Sequence, residues 1–299
     1  MTGDPGPQIG ADRVHAVISD THGGHTVGLL RPGVSLPVDV PIELGPKSWQ
    51  PALNPLQELL WKSYTEDIAW LRDLAGDRPI TMHHNGDPTQ GTRFARELVS
   101  TREADQFLIA AANLGYPIEE LPTLKAFYLT MGTGVHEFGE GTSTIVVREL
   151  LKAKYPEMPI ELANHWLAEI SGIKFDLAHH GPKPGKRKWL ESNNLRWYLQ
   201  DTMERDLDNG NIPADVYVRS HYHTMAKATH YERRGTRYYT SHIVVTPGYT
   251  GIDMYAKQGE QSKWEVTVGL VAFEISRTGA VAIREHFRIL DFRKREIVQ

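Results

Sequence analysis

An alternation that recurs down the chain limits what it can fold into more than any other feature. Short apolar runs with strand character each close on a polar cluster, and helical stretches separate most of them. VHAVIS (14–19) runs into Asp20-Thr-His22, and RPITMHH (78–84) into Asn85-Gly-Asp87. LKAFYLTM (124–131) runs into a Gly-rich turn that carries Thr133, His136 and Glu137. Residues 165–180 read as two strands joined at Ser171-Gly172 and ending in His179-His180. ADVYV (214–218) leads to Ser220-His221-Tyr-His223. The last third is strand-rich, with turns at Arg234-Gly235 and Thr278-Gly279, and reads as an antiparallel meander. Alternation first and strands last imply an α/β sandwich with mixed sheets in one domain.

Helix signals punctuate the alternation. Asn54 suits an N-cap, with Pro55 at the first helical position, Gln57 at the third and Gly76 as the stop, so a helix is expected to about Ala75. Ser100-Thr101-Arg102-Glu103 reads as a capping box that opens a helix to about Asn113. Residues 142–154 and 189–207 are also expected to be helical, and 27–50 loop-like. The Gly/Pro-rich residues 1–12 read as a flexible tail before a single domain over 13–299. The start has neither the basic nor the apolar region of a secretory signal. No apolar run reaches the about 18 residues of a membrane span. The expected location is the cytoplasm, or a host's cytoplasm for a viral source, with no membrane partner.

The clusters hold carboxylates and imidazoles only. The 299 residues include 14 His and no Cys, so disulfides, thiolate metal sites and a cysteine nucleophile are excluded. A formal net charge of -4 disfavours a globally basic nucleic-acid binder. Carboxylate and imidazole clusters at strand ends suit zinc, manganese or iron, and a carboxylate can bridge two ions. No HExxH zincin motif and no phosphate-binding P-loop is present.

Strand-Asp-x-His, then Gly-Asp, then a Gly-rich His-Glu segment, then a lone His, then His-x-His resembles the signature of the calcineurin-like metallophosphoesterases. The order and rough spacing are kept across residues 20–223. The resemblance implies a four-layer α/β/β/α sandwich of two mixed β-sheets flanked by helices, with a helical insertion at about 50–77. It implies two divalent transition-metal ions, manganese favoured, with iron, nickel or zinc as alternatives. Asp20, His22, Asp87 and His223 would hold the first ion. Asp87 would bridge to the second, which His179 and His221 would also ligate. His136 would be the catalytic imidazole, assisting the leaving group as activated water attacks phosphorus. The chain departs from the family at Val135, where an amide ligand is usual, which leaves the second position one donor short. Thr133, Asn85 or a water could substitute.

His179 fits the family's lone His because it directly follows the strand, and His180 is left as a supporting or substrate-facing residue. Glu137 either orients His136 or anchors its loop. Lys183, Lys186, Arg187 and Lys188 form a basic loop beside a candidate ligand, which could hold phosphate or a nucleic-acid backbone. Arg93 and Arg219 are further candidates for phosphate contact. The leading expectation is a metal-dependent phosphodiesterase, extended to a nuclease by the basic loop and the similarity to phage-like members. A phosphomonoesterase, and a binding scaffold of the same fold without catalysis, stay open.

Overall fold

The central strands are buried on both faces because both faces are covered. The computed structural model of the protein describes residues 10–38, 47–93, 95–138, 142–185, 187–252 and 264–293. β1 (Ala11–Ile18) begins within the stretch read as tail and is buried from Val14 onward. Two short strands, β2 (Leu36–Val38) and β3 (Lys47–Trp49), form a small hairpin inside the segment read as loop. β4 (Ile80–Asn85) is buried throughout and lies parallel to β1. That is the pattern of strands held between layers. β5 (Leu124–Thr130) and β6 (Ile160–Ala163) continue the parallel run.

The second sheet contains β7 (His165–Ile170), β8 (Ile173–Ala178), β9 (Val216–Arg219), β10 (Ala226–Arg234) and β11 (Arg237–Val245). Its order is β10-β11-β9-β8-β7, with β8, β9 and β11 parallel and the two outer strands antiparallel. β12 (Glu265–Ser276) and β13 (Val281–Asp291) return to the first sheet, whose order is β13-β12-β1-β4-β5-β6. The strand-rich tail is therefore two hairpins on separate sheets, not one meander. The physical reason is burial. β12 is buried at every residue after its first and needs an inner position beside β1, whereas β10 alternates between buried and exposed as an edge strand does.

Among the described residues four α-helices close the sandwich, and apolar contacts join its four layers. α1 (Pro55–Ala75), α2 (Glu103–Glu120) and α3 (Thr142–Lys154) pack on the first sheet through Leu60, Ile68, Leu71, Ala110, Leu114, Val147 and Leu151. Val17, Phe175, Val216, Val218 and Phe273 fill the space between the sheets. α4 (Asn193–Asp208) covers the second sheet with Leu195, Leu199 and Met203.

α1 starts as its sequence dictates. The Gln57 amide donates to Asn54 Oδ1 at 3.0 Å, and the Asn54 amide donates to Gln57 Oε1 at 3.2 Å. The same two side chains donate to the carbonyls of Thr26 and His25, which ties the helix to the loop after β1. α2 differs from expectation. Ser100 Oγ donates to the Asp105 carboxylate at 2.6 Å and no capping box forms, because the helix begins after Arg102. Nor does α2 stop at Asn113. That side chain is buried, donates to the Leu29 carbonyl and accepts from the Arg31 amide, so it anchors the loop after β1 from mid-helix.

His15 lies in the apolar layer between the sheets, 1% exposed, with Phe175 and Phe273 beside it. Burial pushes its pKa from 6.5 down to about 3, against a hydrogen bond with Thr81. The unfolded chain therefore takes up the proton first as pH falls. Stability from this group is complete above pH 6.5 and is lost progressively toward pH 3. At pH 5 the loss is about 2 kcal/mol. Urea midpoints of the metal-stripped protein should fall between pH 7.5 and about 5, and His15→Gln should flatten that slope.

Candidate metal centre

Every strand that carries a polar cluster points its carboxyl end to the same edge of the sandwich. β1, β4 and β5 do so from one sheet, and β8 and β9 from the other. The loops that follow bring four groups of donor atoms together, each group lying within 4.8 Å. They are Asp20, His22 and His223; Asp20, Asp87 and His179; His22, Asp87 and His136; and His179, His180 and His221. The groups share members, so they form one continuous cluster.

The spacing fits a cation with short bonds to nitrogen and oxygen. His22 Nε2 lies 3.3 Å from His223 Nε2, which lies 3.2 Å from Asp20 Oδ1. Donors about 2.0–2.1 Å from a tetrahedral zinc-like ion stand roughly 3.3 Å apart. Asp20 and Asp87 are both fully buried, and the lone charges would be costly there. Imidazoles meet that cost in the metal-free protein. His179 Nε2 donates to Asp87 Oδ2 at 2.9 Å. Burial alone would push His179 down, but the charge and hydrogen bond of Asp87, helped by Asp20, carry it up to about 9. Burial likewise raises Asp87, yet His179, His136 and His22 hold that carboxyl well below its usual range. His22 is pushed well below the ordinary imidazole value by burial and by His136. His221 is pushed down to about 4 by burial and by His179.

The local backbone is bent to aim these side chains. Asp20, His22, Asp87, His221 and His223 all have positive φ, between 42° and 74°, an uncommon state for residues with a Cβ. Close approach of backbone makes the bends possible. A Cβ at Gly132 would stand 2.0 Å from Asp87 Oδ1, and one at Gly86 would stand 2.2 Å from His179 Nδ1. Outer contacts then fix the rings. His179 Nδ1 donates to the Asn85 carbonyl at 2.7 Å, and His136 Nδ1 donates to the Gln90 carbonyl at 2.6 Å. In each case Nε2 is left facing the cluster, the usual way a ligand or acid–base imidazole is oriented.

The remaining sequence candidates take definite places. Thr133 donates to Asp87 twice, from its amide at 2.6 Å and from its hydroxyl at 3.1 Å. Its hydroxyl also lies 3.4 Å from His180 Nε2 and 3.2 Å from His221 Nδ1. Asn85 is a strut: its amide nitrogen donates to the Ala178 carbonyl and to Ser220 Oγ, which joins β4 to β8 and β9. Glu137 is buried and anchors its loop, accepting from the Gly132 amide, from Ser143 Oγ and from Thr144 at the start of α3. Arg187 stacks 5.8 Å over the exposed Trp189. Lys186 lies outside the described residues. Arg219 turns away from the cluster. It is 1% exposed, pairs with Asp176 at 2.7 Å and donates to the Tyr198 hydroxyl, so it is a core ion pair and not a phosphate contact. His25 is buried against Glu97.

Sequence reasoning missed the support beneath the cluster. Ser19 Oγ and Thr246 Oγ1 are 2.9 Å apart, Thr246 Oγ1 and Ser220 Oγ 2.8 Å, and Asn85 Nδ2 donates to Ser220 Oγ at 2.7 Å. This buried chain stitches the two sheets together directly behind the donors. The available signal was Thr246-Pro-Gly248, another polar and Gly-containing turn after an apolar strand.

No family model matches the chain, and no curated protein matches it. Among solved structures, a protein of unknown function, AQ665, from Aquifex aeolicus is 16% identical, with 71% of this chain and 80% of that one covered and a TM-score of 0.30. Vps29 of Chaetomium thermophilum is 11% identical over 94% and 98% of the two chains, with a TM-score of 0.29. The sulfate thiohydrolase SoxB of Thermus thermophilus is 11% identical, covering 95% of this chain and 57% of that one, with a TM-score of 0.38. At TM-scores this low the likeness carries no argument about activity.

Two outcomes follow from the geometry. Because His179 holds a proton up to about pH 9, an entering ion must displace it, and affinity should rise with pH until then. Calorimetric titration at pH 7.5 in buffers of different ionisation enthalpy should read release of about one proton from this ring. Asn85→Leu removes the strut and leaves the Asp and His donors in place. It should weaken metal binding by about 10–100-fold while the circular dichroism of the fold is kept.

Proposed function

We propose that the protein is a dinuclear metal-dependent phosphoesterase, with phosphodiesters as its favoured substrates. The observation that carries the reading is the gathering of Asp20, His22, Asp87, His179, His221 and His223 into one cluster of overlapping donor groups, to which His136 also belongs. Asp20, His22 and His223 form one ion position, and His179 and His221 belong to the other. Asp87 would be shared, since it groups with Asp20 and His179 and also with His22 and His136. When bound, two such ions lower the pKa of a water and neutralise charge on phosphoryl oxygens.

The chain's own residues supply the rest. His136 Nε2 stands 4.0 Å from Asp87 Oδ2, within reach of the cluster. Its Nδ1 proton is committed to the Gln90 carbonyl, so only Nε2 can give a proton to a departing oxygen. Thr133 holds the shared carboxylate by two hydrogen bonds and limits its rotation. The exposed His180 and the open turn at Gly134 leave one side accessible to a substrate. The preference for a diester comes from the resemblance of the sequence motifs. A nuclease remains the extension suggested by the basic residues near Arg187.

The test is an assay of metal-loaded protein with bis(p-nitrophenyl) phosphate and p-nitrophenyl phosphate in parallel. Diester hydrolysis that needs metal and exceeds monoester hydrolysis is expected. A folded, metal-loaded protein that cleaves neither, nor DNA, would overturn the reading in favour of a scaffold. His136→Ala should lower kcat by about 10²–10⁴ with metal content unchanged.

A further inference from the structure

We propose that His180 is a protein ligand of the second ion, so that His179, His180 and His221 bind it together with Asp87. This rests on the two-ion reading above. Adjacent residues on an extended strand point to opposite faces, which would leave only one of the pair in the centre. β8 ends at Ala178, and the chain beyond it no longer alternates. His179 and His180 therefore both keep a donor atom within 4.8 Å of one from His221. The ring centres of His180 and His221 are 4.5 Å apart, and those of His179 and His180 4.9 Å. His180 Nε2 and His221 Nδ1 converge on the same Thr133 hydroxyl, 3.4 and 3.2 Å away, and that hydroxyl donates to Asp87.

Of the other candidates for this coordination place, Val135 is 42% exposed and has no side-chain donor atom, and the Asn85 amide nitrogen is fixed on Ala178 and Ser220 while its oxygen stays buried without a hydrogen-bond partner. The consequence is chemical. The first position offers two carboxylates, Asp20 and Asp87, with two imidazoles. The second offers one carboxylate with three imidazoles. Imidazole-rich sites suit zinc, nickel or copper, whereas carboxylate and water suit manganese and magnesium. The second position thus selects a zinc-type ion, and the centre is built to hold two different metals.

The test strips the full chain with chelator, reloads it with equimolar zinc and manganese, and counts both after gel filtration. Wild type should retain two ions, one of them zinc. His180→Ala should lose one zinc equivalent, or bind it more weakly than the about 10–100-fold effect of an outer contact. In cobalt-loaded protein, His180→Ala should also change the visible absorption of one ion only. His180→Gln, closer in volume, controls for packing, and an unchanged thermal transition controls for folding. Two ions at unchanged affinity in His180→Ala would overturn the proposal; a raised KM alone would then make His180 a substrate contact. Failure of wild type to bind two ions would instead overturn the dinuclear reading itself.

Discussion

Asp20 and Asp87 have no exposed surface, and a buried carboxylate without partners is among the costliest arrangements a fold can contain. The rest of the centre answers that constraint. Each carboxylate faces imidazoles from the opposite sheet: His223 reaches Asp20 from the loop after β9, and His179 reaches Asp87 from the loop after β8. The pairing cannot form until both sheets are in place. The electrostatic demand of two buried acids therefore links assembly of the sandwich to assembly of the site. Metal-free, the cluster is stabilised by a retained proton on His179. A bound cation would take over that role.

The same demand explains where backbone strain is kept. Five of the cluster's residues sit at positive φ, and each such residue costs of order 1–3 kcal/mol unless its surroundings impose it. Here they do. The Asp20 amide donates to the Gly86 carbonyl and the His22 amide to the Asp87 carbonyl, so the loops after β1 and β4 hold each other in shape. The Asp20 carbonyl accepts from Tyr249, and the His223 carbonyl from the Thr267 amide in β12. A hydroxyl chain through Ser19, Thr246 and Ser220 to Asn85 then fixes the separation of the sheets. Strain, burial and polar support lie within one small region, as expected where geometry serves chemistry instead of stability.

Much of this was legible in the residues because the donors follow directly on strands. A strand's apolar pattern is local, and a polar cluster at its end is equally local, so Asp20, Asp87 and His223 could be named from short windows. The α1 cap was readable for the same reason, since Asn54 and Gln57 satisfy each other within one turn. What failed were features decided at long range. The placement of β10 to β13 on two sheets depends on which strand needs both faces covered. Asn113 reads as a helix end, yet its amide is held by Leu29, 84 residues away in sequence. Arg219 reads as a phosphate contact because it precedes the His-x-His segment, but β9 turns it toward Asp176 and Tyr198.

The histidine pair after β8 shows how a single local departure reaches the chemistry. Sequence alternation allows one ligand from His179-His180, and the strand's end at Ala178 admits both. On the two-ion proposal, an imidazole from His180 would stand in where Val135 offers no side-chain donor, a nitrogen supplied by a different loop. The two positions would then differ in charge as well as in ligand type: with Asp87 shared, the first would carry one further carboxylate and the second none. An ion at the second position would keep more net positive charge and draw more electron density from a phosphoryl oxygen. His136 lies beside His22, on the side of the first group of donors.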